Sequence, residues 1–222
     1  MIEDSLSKRR HVIEYSKEII PSKDEIEEIL RVGYKLASSK QNAFPFKIFV
    51  LGPDSKRSKY LHELTEGHKI NTDGELPADA SYFPNPNLLH IKTSPYTLII
   101  TPRLSPPNAY HKIQIEKHGN NWEFDKIDRI KPCGKAFSLE VGIIATTITG
   151  AAIDRGWDSA YCVCFPKKMD QWFHFPYVEY APYLIQTIGK ADKFKQDYYS
   201  KASLELDTRP NFETIFNFVD DQ

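Results

Sequence analysis

The sequence predicts one compact α+β domain, and three observations carry that prediction. The 222 residues are 41% hydrophobic and 13% aromatic, enough for one real core and cramped for two domains. Short apolar runs at 46–51, 94–100 and 183–189 are bounded by Gly, Pro or Asn and read as strands. Two longer stretches, one following Ser22 and one over 137–155, carry apolar residues at helical spacing.

Composition excludes several classes of function. With 29 Lys and Arg against 30 Asp and Glu, the net charge is −1, so there is no electrostatic footprint for duplex nucleic acid and no basic run for a membrane surface. The start, Met1 to Leu6, lacks the basic opening and apolar stretch of a signal peptide, and no apolar run approaches the roughly 20 residues of a membrane span. A soluble, cytoplasmic protein is expected, with neither nucleic acid nor membrane as partner. Three cysteines, two of them in Cys162-Val163-Cys164, are too few for a disulfide framework or a zinc site and read as reduced core residues.

Taken in order, Lys8-Arg9-Arg10 reads by itself as a basic cluster ending a first helix. Ser22-Lys23-Asp24-Glu25 is a capping box, and Ile26, Ile29, Leu30, Leu36 and Ala37 follow on one helical face. The loop Ser38-Ser39-Lys40-Gln41-Asn42 then joins this helix to the 46–51 strand, which Gly52-Pro53 stops. Small hydroxyl residues leave backbone room for a flat ligand, and Asn42 offers both a donor and an acceptor, although the same residues also populate plain connections. Residues 54–64 read as a short surface helix; His62-Glu63-Leu64-Thr65-Glu66 has Glu where a zinc-binding helix needs its second His. Residues 67–87 are rich in Pro, Asn, Asp and Gly and read as a loop or a loosely helical lid. The stretch around 110–128 alternates polar and apolar residues on both sides of Gly119-Asn120-Asn121 and reads as a β-hairpin insertion. The longest helix follows over 137–155, with Val141, Ile144, Ala145, Ile148, Ala151 and Ala152 on one face and Gly156 at its end. It is too short and too rich in Thr, Gly and Ala to span a bilayer.

Five segments in order resemble the nitroreductase family. Arg9-Arg10-His11-Val12-Ile13-Glu14-Tyr15, followed by Pro21, is similar to the family's opening R-R-S-x-R-x-F and its later proline. Ala37-Ser38-Ser39-x-x-Asn42-x-x-Pro45-Phe46 resembles its A-P-S-x-x-N-x-Q-P-W. Gly156-Trp157-Asp158-Ser159-Ala160-Tyr161, the strand ending at Gly189, and Thr208-Arg209-Pro210 are similar to its later segments. The resemblance implies a central mixed or antiparallel sheet flanked by helices, in an intertwined homodimer with FMN sites between subunits and the long helix at the interface.

It also implies a set of cofactor residues. Arg9, Arg10 and His11 fall on positions near the FMN phosphate and ribityl chain, and Arg209 on the arginine that completes the phosphate site. Ser38, Ser39, Lys40 and Asn42 belong to the loop that lies against the flavin. Asn87, or nearby Asn85, falls near a position that hydrogen-bonds the flavin, and Tyr161 and Cys162 are candidates for stacking or backbone contact. Three departures stand out: Ser38 replaces Pro, Phe44 replaces Gln, and Ile13 replaces the Arg or Lys whose charge serves the N1 and C2 carbonyl edge of the flavin. Lys40 is one cation able to substitute there.

The residues themselves offer no HExxH, no Ser or Cys nucleophile motif and no Gly-rich phosphate loop. The chemistry then belongs to a cofactor, with no catalytic side chain and no metal, and the protein supplies orientation and electrostatics. By resemblance, NADH or NADPH delivers hydride to flavin N5, and the same pocket then passes electrons to a nitroaromatic or quinone in a ping-pong cycle. The alternatives are a specialised FMN oxidoreductase with a dedicated substrate, as in dehydrogenation or dehalogenation, and a binding module that keeps the fold without the chemistry.

Overall fold

Ser22 begins the first helix, α1 (Lys23–Leu36), as its capping box dictates. Its hydroxyl accepts from the Glu25 N–H at 3.2 Å, and the Glu25 carboxylate accepts from the Ser22 N–H and hydroxyl, each at 2.8 Å. Ile26, Ile29 and Gly33 form the buried face. Leu36, expected on that face, is 56% exposed, because Ala37, one position on, continues the spacing of Ile26, Ile29 and Gly33 and packs against the core in its place. The computed structural model describes residues 8–39, 44–53, 55–57, 60–61, 63–64, 86–103, 109–119, 135–163, 165 and 169–194.

The second long helix, α4 (Lys135–Asp154), crosses α1. A Cβ at Gly33 would lie 2.6 Å from Ile148 Cγ1 and 3.0 Å from Ile148 Cα. Only glycine lets the two backbones come this close. The expectation that this helix is too short and too rich in Thr, Gly and Ala to span a bilayer is corrected: residues 137–154 are long and apolar enough by length and composition, but half of that stretch is buried within the fold, its apolar face covered by α1 and the sheet.

Four antiparallel strands form the sheet in the order β2 (Phe46–Leu51), β3 (Tyr96–Pro102), β5 (Leu184–Gly189), β4 (Asp158–Cys162). Its register pairs Ile48 with Ile100, Leu98 with Gln186, and Cys162 with Ile185. Alternation along each strand sends side chains to two cores. Leu98, Ile100 and Ile188 pack on α1 and α4, while Leu51, Ile99, Cys162 and Ile185 pack on Leu61, Ile91, Phe165, Trp172, Phe175 and Val178. With both faces covered, β3 is buried at all seven positions, which is why its sequence reads as a continuous apolar run.

Beside this sheet, β1 (Val12–Tyr15) pairs with β6 (Ala191–Phe194) in an irregular antiparallel ribbon. The basic cluster Lys8-Arg9-Arg10 thus leads into a strand, where the local reading had it ending a helix. Val12 and Ile13 favour extended backbone, and the pairing partner lies some 180 residues away, beyond any local pattern. The helix α2 (Pro86–Thr93) opens on a proline, which suits a first helical turn; of the expected 67–87 loop, residues 86 and 87 are helical, and residues 67–85 lie outside the described residues. The Tyr15 N–H donates to Thr93 Oγ1 at 2.9 Å and ties α2 to β1.

The hairpin expectation is corrected. Ala109–His118 is a helix, α3, with Gly119 at φ 69° behind it. A glycine in the left-handed region ends a helix as readily as it makes a turn, and the two isoleucines of His111-Lys112-Ile113-Gln114-Ile115-Glu116 were too few to separate a period of 2 from one of 3.6. Residues 120–128, the rest of that expectation, lie outside the described residues.

Candidate functional site

Two groups of predicted residues come together, on different parts of the scaffold. The first gathers where β1 meets β4. Arg9, exposed at the approach to β1, holds its guanidinium 5.3 Å from the centre of the Tyr161 ring. Tyr161 is anchored from behind, its hydroxyl sharing a hydrogen bond with Thr149 and donating to the Ala145 carbonyl at 3.1 Å, both on α4. Burial raises the Tyr161 pKa, opposed by the Thr149 hydrogen bond and the Arg9 charge, so the phenol stays protonated. Arg10, also exposed, lies 5.2 Å from the Phe194 ring centre. Neither arginine forms an ion pair with a carboxylate among the described residues.

His11 is half buried, and Ile13 is fully buried. On the adjoining α2, the backbone of Asn87 lies one helical turn before His90. His90 is 1% exposed, and neither of its ring nitrogens has a partner among the described residues. Burial, with a smaller contribution from the nearby His11, holds its pKa down to about 3. A helix pattern with low amphipathicity concealed this histidine from sequence reasoning.

The second group is the serine loop. Ser39 Oγ donates to the Glu140 carboxylate at 2.5 Å and accepts the Phe44 N–H at 2.7 Å. Phe44 has φ 41°, a left-handed conformation unusual for a non-glycine residue, and Arg103 secures it by donating Nε and Nη2 to the Phe44 carbonyl at 3.2 and 3.0 Å. The Phe44 ring packs 4.9 Å from that of Tyr34 and 6.0 Å from that of Phe46. These contacts hold Phe44 in a conformation that costs about 1–3 kcal/mol by itself. Glu140, 5% exposed on α4, escaped the sequence reading; its only signal is a carboxylate between Leu139 and Val141 in a stretch with no other charge from Ala136 to Ile153.

Ser38 is exposed beside this clamp. Lys40 and Asn42, within the loop, lie outside the described residues, as does Arg209. Cys162 is buried and faces the second core with Ile185 and Trp172, on the opposite side of β4 from Tyr161, so its side chain is not gathered with Arg9. A separate cavity of about 470 Å3, lined by Lys47, Phe49, Thr101, Pro102, Arg103, Tyr177 and Glu179, opens at the β2 edge and holds none of the predicted residues. Among the described residues no three His, Cys, Asp or Glu side chains cluster as a metal site would require.

No family model and no curated protein matches the sequence. Solved structures do match over nearly the whole chain. An FMN- and NADPH-dependent nitroreductase from Sphingopyxis sp. strain HMH, solved as a variant, is 11% identical with a TM-score of 0.67, covering 98% of each chain. A BluB-like flavoprotein from Clostridium difficile 630 is 16% identical with a TM-score of 0.63, covering 99% of each. A nitroreductase-like protein from Streptococcus mutans is 16% identical with a TM-score of 0.62, covering 99% of this chain and all of the other. At these identities the likeness is one of architecture, and it shows that the α+β chain has the nitroreductase fold.

Proposed function

We propose that the protein is an FMN-dependent oxidoreductase that accepts hydride from NADH or NADPH and passes electrons to a flat, electron-poor acceptor such as a nitroaromatic or a quinone. The observation that carries this reading is the Arg9 and Arg10 pair, two exposed guanidiniums at the edge of β1 without carboxylate partners among the described residues, beside the anchored Tyr161. A phosphate dianion fits such donors, because a guanidinium presents a planar fork of N–H groups. The nitroreductase fold supports FMN as the bearer of that phosphate, since a structure sharing the fold is FMN- and NADPH-dependent.

When bound, the flavin supplies the hydride chemistry. Arg9, Arg10 and, in this reading, Arg209 hold its phosphate. His11, just ahead of β1, and Asn87, on α2, approach the cofactor. Ser38, Ser39, Lys40 and Asn42 cover the ring, and the clamp of Ser39 to Glu140 and Phe44 keeps that loop in one conformation, so that little ordering entropy is lost on binding. Tyr161 walls the pocket, and the backbone at Cys162 supplies N–H and carbonyl groups. A single pocket used by reductant and acceptor in turn gives ping-pong kinetics.

The site is completed, in this proposal, by a second copy of the chain. Tyr34, Leu36 and Leu139 are 57%, 56% and 65% exposed; the Tyr34 ring packs on Phe44, Leu36 lies two positions before Ser38, and Leu139 adjoins Glu140, the partner of Ser39. Large apolar side chains exposed together mark a surface that another subunit covers.

The test is a visible spectrum of the purified protein after loading with FMN and removing the unbound fraction, followed by NADPH or NADH without oxygen. Flavin bands that bleach, and return on adding a quinone, support the reading. Bound flavin that resists both nucleotides favours the specialised FMN oxidoreductase, for which the apolar, fully buried Ile13 is the structural argument. Protein that retains no flavin overturns both and leaves the binding module.

A further inference from the structure

The cavity at the β2 edge has the make-up of a ligand site. Its volume of about 470 Å3 falls within the roughly 300–1,000 Å3 of small-molecule pockets, which combine an apolar wall with a few placed polar groups. Phe49 and Tyr177 form the wall, their ring centres 4.8 Å apart, and both pack on the second core. Lys47, two positions before Phe49 on the same face of β2, holds its Nζ 5.0 Å from the Phe49 ring centre. Thr101 is the cross-strand partner of Lys47, and its hydroxyl reaches the Lys47 carbonyl at a long 3.5 Å. The Tyr177 hydroxyl is buried and has no partner among the described residues, an exception that calls for a reason. Burial raises its pKa, opposed by the Arg57 charge, so it remains a protonated donor.

Charge decides what such a wall would hold. Lys47 and Arg103 line the cavity against the single carboxylate of Glu179, and Arg57 adds a further cation 5.2 Å from the Tyr177 ring centre. Lys47 and Glu179 form no ion pair, with each other or with any other described residue. We propose that this cavity binds a small aromatic carboxylate, its ring against Phe49 and Tyr177, its carboxylate on the Lys47 ammonium, with the Tyr177 hydroxyl donating to the same ligand. A carboxylate only accepts, which matches an ammonium and a phenol with N–H and O–H groups to give. Arg103, engaged with the Phe44 carbonyl, contributes positive potential. The site is separate from the one proposed for flavin, since β2 and β4 are opposite edges of the sheet and the Arg9–Tyr161 pair lies at β4.

The probe is benzoate, titrated calorimetrically into the full chain. It should bind about tenfold more tightly than acetate, which lacks the ring, or benzyl alcohol, which lacks the charge. K47M should weaken benzoate binding about fivefold, the worth of an ion pair at an open mouth. Y177F, which keeps the ring, should weaken it about tenfold. E179Q should tighten it, because a like charge is removed. Lys47 and Glu179 are exposed, so unfolding midpoints of K47M and E179Q should match the wild type. No binding of benzoate, binding unchanged in K47M and Y177F, or acetate binding equally well overturns the proposal. Weaker binding in E179Q overturns the choice of an anion, and displacement of benzoate by excess FMN overturns a separate site.

Discussion

The Ser39 hydroxyl and the Glu140 carboxylate, 101 residues apart in the chain, meet at 2.5 Å, and the same hydroxyl receives the Phe44 N–H. One side chain thus joins the two ends of the serine loop and fastens them to α4. Ser39→Ala removes both hydrogen bonds and is expected to cost about 1 to 3 kcal/mol of stability, read from urea unfolding midpoints. Glu140→Gln retains a hydrogen-bonding partner and should cost less than Glu140→Leu.

Gly33→Ala should destabilise the protein, against the usual gain of about 1 kcal/mol for replacing a helical glycine by alanine. The new methyl would stand 2.6 Å from Ile148 Cγ1 and 3.0 Å from Ile148 Cα, and overpacking of this kind costs about 1 to 3 kcal/mol. Thermal unfolding of the single variant decides the sign.

Stability should fall on acidification because of His90. Its folded pKa of about 3, set first by burial and then by His11, lies below the ordinary 6.5, so the unfolded chain takes up a proton that the folded chain refuses. The contribution is fully present above pH 6.5 and is lost progressively as the pH falls from there toward 3, with a slope approaching about 1.4 kcal/mol per pH unit. Urea midpoints measured across that range should show a shallower acid slope in His90→Leu than in the wild type.

Arg9→Ala should weaken FMN binding by about one to two powers of ten, as expected for a charge-assisted hydrogen bond to phosphate, with unfolding midpoints nearly unchanged because Arg9 is exposed. Fluorescence quenching of FMN on binding provides the measurement. Unchanged affinity would remove Arg9 from the phosphate site.

Tyr161→Phe deletes the hydroxyl that joins Thr149 and the Ala145 carbonyl. A loss of about 1 kcal/mol in stability is expected, measured by urea unfolding. The Arg9 contact should survive, because it is made to the ring.

The elements that sequence determined by itself are those whose cause lies within a dozen residues. The Ser22–Glu25 capping box, the spacing of Ile26 and Ile29, the small-residue face of α4, and the apolar runs of β2, β3 and β5 each carry their own period or cap, and each forms where local physics places it. The motif order also pointed to the right fold, which solved structures share over nearly the whole chain. Tertiary structure decided the rest. Pairing of β1 with β6 turned a basic cluster into the approach to a strand, two isoleucines in α3 were too few to distinguish helix from hairpin, and the burial of His90 and Glu140 depends on what packs over them. Periodicity records which way a residue faces along its own element, whereas a missing hydrogen-bond partner or a clamp between distant segments exists only once those elements are packed together.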